Sequence, residues 1–320
     1  MQNLHRPQKL PLQKLCPQSN SMDTVVIKAE PGSVVYGLSP HNTPAAFCES
    51  GGLARFETMD CFADQIRSAQ PPFDYVDWAK TNPATGPLFV KAAMPGDILK
   101  VEILSIELDS QALVMEFPGD GISGKAADKE TAKILPISEN MSQFSPELSL
   151  PLRPMIGVIG TAPAEEAIPT NTPGTHGGNM DCTRISAGSS LYLPVNVEGA
   201  LLAIGDLHAL MGDGEVCVCG AEIAGTVTVR VTVIKNEALP LPLLVSEGQC
   251  ITIASADTLD QAAEDATFAM RRLLIEKAGM QPHEAGMLMS LAGELRICQA
   301  VNPLRTCRME MPLNVLNKII

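Results

Sequence analysis

Gly225-Thr226-Val227-Thr228-Val229-Arg230-Val231-Thr232-Val233-Ile234 is the stretch on which the fold reading turns. From Thr226 to Val233, a valine follows each threonine or arginine. A period of two puts the valines on one face of a strand and the polar residues on the other. Such a strand has one side on a core and the other toward water.

Upstream, Thr24-Val25-Val26-Ile27-Lys28, Leu53-Ala54-Arg55-Phe56-Glu57-Thr58 and Leu88-Phe89-Val90-Lys91 are further short strand-like runs. In 98–106 the residues Ile98, Val101, Ile103 and Ile106 alternate imperfectly, which suggests a bulge. Pro31-Gly32 and Pro95-Gly96-Asp97 mark turns. The run 157–163 reads as a buried strand leading into a loop. The runs 189–195 and 200–205 flank an Asn196-Val197-Glu198-Gly199 turn and read as a hairpin that delivers Asp206 and His208 at its end. The middle reads as loop-rich, with Pro71-Pro72, Asn82-Pro83, Pro118-Gly119, Pro146, Pro151 and Pro154.

The C-terminal third changes period. Leu259, Ala262, Ala263, Ala266, Met270, Leu273 and Leu274 form a helical stripe in 258–277. Thr258 or Asp257 can cap this helix, and Gly279 stops it. A second helix follows over 282–291, then a strand over 295–301. The expected fold is mainly β, sandwich- or barrel-like, with a C-terminal α+β element. Three regions follow: a disordered extension 1–22, a β-rich domain 23–235 carrying the site, and the α+β element 236–320 packed on it.

Apolar residues make up 45% of the 320 residues but aromatics only 4%, so aliphatic side chains must fill the core. A formal net charge of −13 argues against nucleic acid and anionic membranes, whose phosphates it would repel. No apolar run is long enough to span a bilayer. The nine cysteines are an odd, scattered set, which suggests reduced thiols and a cytoplasmic setting. Cys217 and Cys219 lack a second pair to complete a structural zinc site and read as core thiols.

The chemistry concentrates between His176 and Glu222. The motif His176-Gly177-Gly178-Asn179-Met180-Asp181 is followed by Gly205-Asp206-Leu207-His208-Ala209 and Gly212-Asp213-Gly214-Glu215. Carboxylates and glycines at this density are poor core material. Asp206 and His208 are two apart, so a strand end turns both to one side. With Asp181 as a third ligand they suit zinc, calcium or another divalent ion; the alternative is a hydrogen-bonded structural histidine. Glu215 reads as a general acid or base, or as part of a polar turn. Glu222 joins the site across a strand or is an ion-paired sheet residue. Gly178 and Asn179 offer donors to an oxyanion, or simply make a turn. Asp60 lies among Met59, Cys61 and Phe62, where burial would raise its pKa; it equally reads as a cap for a short helix. Gln65 can hydrogen-bond a small amide. No Gly-x-Ser-x-Gly elbow is present, which disfavours a serine hydrolase.

These motifs resemble the acetamidase/formamidase family. The resemblance rests on Gly177-Gly178-Asn179-Met180-Asp181, Leu193-Pro194-Val195, Gly199-Ala200, Gly205-Asp206-Leu207-His208-Ala209 and Gly212-Asp213-Gly214-Glu215. Glu57-Thr58-Met59-Asp60-Cys61-Phe62 with Gln65-Ile66, Asn82-Pro83-Ala84-Thr85-Gly86-Pro87 and Pro95-Gly96-Asp97 complete it. It covers about residues 24–312 and implies a hydrolase of small, formamide- or acetamide-like linear amides that releases ammonia. Met211 replaces a glutamine usual in the family, and Lys91 stands where an acidic residue is expected. In the expected mechanism Asp181, Asp206 and His208 hold a divalent ion, zinc or calcium. Glu215, helped by Asp213, moves the proton, while Asp60 and Asn179 orient the amide. A homo-oligomer, a dimer or larger, is expected. The rival reading is a non-catalytic β-sandwich binding module with structural calcium.

Overall fold

The computed structural model describes residues 24–316. The segment 1–22, expected as a disordered extension, lies outside the described residues. Strand Gly225–Ile234 forms as its alternation predicts, with Val227, Val229 and Val231 buried and Arg230 exposed. It lies inside a nine-stranded sheet, between Leu53–Thr58 and Ile98–Leu108. Thr228 pairs with Ser105 but Val229 pairs with Ile103, so Leu104 is the extra residue of a bulge in Ile98–Leu108. The same sheet continues through Ser190–Pro194, Leu243–Ser246, Gln249–Ala256, Arg305–Pro312 and Glu294–Gln299.

A second sheet faces it. At its centre Leu202–His208 pairs with Met155–Gly160, Ala84–Val90 and Glu222–Ile223, and Gly177–Asn179 lies outside Met155–Gly160. Neither sheet closes on itself, so the architecture is a sandwich rather than a barrel. Phe56, Val227, Val229 and Leu191 of the first sheet share one core with Ile156, Ile204, Leu207 and Ile223 of the second. The chain crosses between sheets at Ala224, from Glu222–Ile223 into Gly225–Ile234. Glu222 therefore sits where one layer passes into the other.

Two sequence expectations need correction. The runs around 196–199 are not a hairpin: Ser190–Pro194 belongs to the first sheet and Leu202–His208 to the second. Leu202–His208 is buried at every residue because it is a central strand covered on both faces, so it carries no alternation to assign its partner. The loop-rich middle contains a meander of Gln111–Glu116, Thr131–Ser138, Met141–Ser145 and Leu148–Pro151. Its edge strand Leu148–Pro151 is largely exposed, where Pro151 is tolerated.

Helix Leu259–Ala278 starts at Thr258, whose hydroxyl accepts the Gln261 N–H at 3.2 Å, and ends at Gly279 with φ +66°. Ala262, Ala266, Met270, Leu273 and Leu274 are its buried stripe. They pack with Leu243, Cys250, Met309 and Met311 under the second helix, Pro282–Ala292. The strands beneath are continuous with the first sheet, so residues 236–316 extend the sandwich. Among the described residues no helix is long and apolar enough to cross a membrane.

Candidate functional site

Three carboxylate residues of the His176–Glu222 stretch stand on left-handed backbone: Asp181 at φ +45°, Asp206 at +54° and Glu215 at +47°. A non-glycine residue held there costs about 1–3 kcal/mol and persists where surrounding packing dictates it. Asp206 does so inside Leu202–His208, and His208 lies two residues on. Both turn to one side, with His208 Nε2 3.6 Å from Asp206 Oδ1. Glu222 sits opposite His208 in the ladder and brings Oε2 to 3.0 Å from the same Nε2.

Asp181 enters from the end of Gly177–Asn179. Gly157, on the neighbouring strand, makes the convergence sterically feasible: a Cβ there would lie 2.4 Å from Asp206 Oδ2 and 2.6 Å from Asp181 Oδ1. Gly220 does the same for the imidazole, since its Cβ would lie 2.7 Å from His208 Nδ1. Asp181, His208 and Glu215 bring ligand atoms within 4.8 Å of one another; Cys61, Asp206 and Glu222 form a second such group. All six residues are buried.

Burial and mutual repulsion set the electrostatics. Burial raises Asp181 above the usual carboxylate range, pushes Asp206 to about 8 and holds Glu215 well above its ordinary value. Burial opposes charge on His208, but the Glu222 and Asp206 carboxylates outweigh it and raise its pKa well above 6.5. Burial also opposes charge on Glu222, yet His208 holds its pKa below the ordinary value.

The His208–Glu222 approach is close but lacks hydrogen-bond geometry. Both ring nitrogens of His208, Asp181 Oδ1, Glu215 Oε2, Glu222 Oε2 and Asn179 Oδ1 are buried without hydrogen-bond partners. Orphaned acceptors crowded around an imidazole are a donor set that fits a divalent cation.

A cleft of about 550 Å³ opens onto this cluster. Asn179, Asp206, Glu215 and Glu222 line it, as do Asn302 and Cys61. The expected residues divide. Asp181, Asp206, His208, Glu215 and Asn179 come together. Gly178, at φ +80°, packs against Thr172 and His176, where a Cβ would lie 2.4 Å from the Thr172 carbonyl. Asp60 is behind the cleft: its Oδ1 accepts the N–H of Phe62 at 2.9 Å and of Asp64 at 2.7 Å, while burial raises its pKa to about 6. It thus caps the turn that presents Cys61, and no helix follows.

Gln65 has both ends of its amide engaged, donating to the Phe62 carbonyl at 2.8 Å and accepting the Asp77 N–H at 2.8 Å. It ties the Asp60 turn to the loop carrying Trp78. Asp213 points away from Glu215. Its two oxygens accept from Arg308 at 2.9 and 2.7 Å, and Thr183 donates to it at 2.8 Å. That fork lowers its pKa, against the opposing effect of burial.

Four contributors escaped the sequence reading as site residues. Asn302, Gly157 and Trp78 were not singled out, and Cys61 was quoted without a role. Asn302 comes from the C-terminal region, so the site is not confined to 23–235. Gln299 shapes its loop by accepting the N–H groups of Val301 and Asn302 at 2.8 and 3.0 Å. The same stretch holds the Glu215 turn: Gly214 donates to the Cys298 carbonyl at 2.8 Å, and Ala300 donates to the Gly214 carbonyl at 3.1 Å.

This fold and cluster define a β-sandwich with a buried acid–imidazole site at the junction of its layers. The model of the Acetamidase/Formamidase family matches residues 37–172 and 164–318, and the chain belongs to that family. An acetamidase structure from Bacillus halodurans is 46% identical, with a TM-score of 0.90 over 92% of this chain and 99% of that one. An acetamidase structure from Yersinia enterocolitica is 29% identical, with a TM-score of 0.88 over 93% and 94%. Among curated relatives, the formamidase of Methylophilus methylotrophus is 28% identical over 60% of this chain and 61% of its own length. The acetamidase of Mycolicibacterium smegmatis is 27% identical over 62% and 65%. The chain thus spans somewhat under two thirds of those curated relatives.

Proposed function

We propose that this protein is an amidohydrolase that cleaves small linear amides to a carboxylate and ammonia with help from a divalent cation. The observation that carries the reading is the convergence of Asp181, His208 and Glu215 donor atoms within 4.8 Å at the base of a cleft. Family membership and the acetamidase structures support the reaction class.

Asp181 and His208 would hold the cation, with Asp206, whose Oδ1 lies 3.6 Å from His208 Nε2, as the third ligand. An imidazole in the donor set, with the Cys61 thiol close by, favours zinc or a similar first-row ion over calcium, which takes oxygen donors. When bound, the cation would polarise the amide carbonyl and acidify the attacking water. Asn302 fixes the Asp181 carboxylate, and Glu222, 3.0 Å from His208 Nε2, adds negative charge beside the nitrogen that would face the cation. Asn179, with an unpartnered Oδ1 in the cleft wall, orients the amide nitrogen as hydrogen-bond donor. Glu215 lies on the cleft floor and carries the proton. It takes the proton from the attacking water and gives it to the nitrogen as the carbon–nitrogen bond breaks. Asp213 has no part in this step, because Arg308 holds it elsewhere.

Ammonia release from formamide and acetamide tests the proposal. Release is expected from the metal-replete protein, with loss on chelation and a fall of about 100-fold or more in Glu215→Gln. Metal-replete protein that releases no ammonia from any linear amide overturns the hydrolase reading. Unchanged turnover in protein shown by elemental analysis to be metal-free overturns the role of the cation.

A further inference from the structure

The cleft is much larger than the smallest amides need. Formamide and acetamide have only a handful of non-hydrogen atoms, whereas about 550 Å³ falls in the range that encloses drug-sized ligands. Its outer wall is aromatic. Trp78 is 45% exposed and meets Phe62 and Phe117 edge-on, with ring centroids 6.2 and 5.5 Å away. Asp120 and Glu130 line the same cleft. Neither forms an ion pair among the described residues. The lining contains no lysine, arginine or histidine.

Aromatic faces beside unpaired carboxylates attract an ammonium group and repel a carboxylate. The floor points to a ligand independently, because the buried Asn179 Oδ1, Glu215 Oε2 and Glu222 Oε2 all lack partners and line the same cleft. Resting on the amidohydrolase reading, we propose that the preferred substrate is a linear amide with an ammonium group a few bonds from the scissile carbonyl. The amide binds at Asn179 and Glu215, while the ammonium sits against Trp78 and Phe117 with Asp120 and Glu130 beside it. A divalent cation on the floor leaves the excess of negative charge in the lining intact, since Asp120 and Glu130 are not among its ligands.

Three amides of nearly equal length test this: 4-aminobutanamide, pentanamide and the anion of succinamic acid. Trp78 is the only tryptophan in the chain, so its fluorescence reports occupancy of the cleft whether or not turnover occurs. The expected order of affinity and of kcat/KM is cationic, neutral, anionic, with about tenfold or more between the first two at low salt. The double variant Asp120→Asn, Glu130→Gln should abolish that gap by lowering the kcat/KM and affinity of the cationic amide toward those of pentanamide. Equal or tighter binding of pentanamide or succinamate overturns the proposal, as does a gap that survives in the double variant. Ammonia-free incubations with selective binding would instead overturn the hydrolase reading and leave the ammonium selectivity standing.

Discussion

The side-chain amide of Asn302 donates to Oδ2 of Asp181 and, at 3.0 Å, to the backbone carbonyl of Asn179. One residue near the end of the chain thus fixes both the carboxylate and the loop that presents it. This bond also lowers the Asp181 pKa against the upward push of burial.

Asn302→Ala should therefore raise the Asp181 pKa further and free the Asn179–Asp181 turn. The expected loss is about 10–100-fold in activity or cation affinity. The alkaline displacement of the acid limb of the pH–rate profile separates this from general destabilisation. An unmoved profile would leave Asn302 as packing alone.

Gly157→Ala should be as damaging at the site while permitting folding. Its Cβ would fall between Asp206 Oδ2 and Asp181 Oδ1 and force the carboxylates apart. Expected are a loss of cation affinity of more than about tenfold and a stability change of about 1–3 kcal/mol. Titration of the cation and a thermal melt read the two effects separately.

Removing the cation should make stability depend on pH. Burial pushes Asp206 from 3.8 to about 8, and Asp181 and Glu215 shift upward too. A carboxyl raised in the folded state contributes stability that is complete below its unfolded pKa and lost as pH rises through the folded value. The raised His208 acts in the same direction. Chelated protein should therefore weaken from about pH 4 toward pH 8, while bound cation offsets the repulsion. Melting at pH 5 and pH 8, with and without chelator, checks this; an equal chelator effect at both would contradict it.

Asp213→Asn should separate structure from catalysis. Arg308 is almost fully buried and forks onto Asp213, with Glu310 as its second acid. The variant should melt lower, by about 1 kcal/mol of stability given the partial exposure of Asp213. Turnover should stay within about threefold. A loss of turnover as large as that of Glu215→Gln would return Asp213 to the proton path.

The sequence by itself determined the half-buried strand 225–234 and the helix from Leu259, because their patterns of exposure repeat along the chain. Thr258 and Gly279 were readable as its ends from cap chemistry alone. Asp181, Asp206, His208 and Glu215 were legible because carboxylates, an imidazole and glycines are misplaced in a core unless they meet something. Local pattern could not assign Leu202–His208 to its sheet, since a strand covered on both faces shows no alternation. Nor could it separate Asp213 from Glu215, two positions apart, because left-handed backbone at Glu215 and the distant Arg308 send them opposite ways. Only tertiary structure brought Asn302 and Trp78 to the cleft and Gly157 beneath its carboxylates. Their roles come from contacts made across the fold, and one-dimensional spacing carries no trace of such contacts.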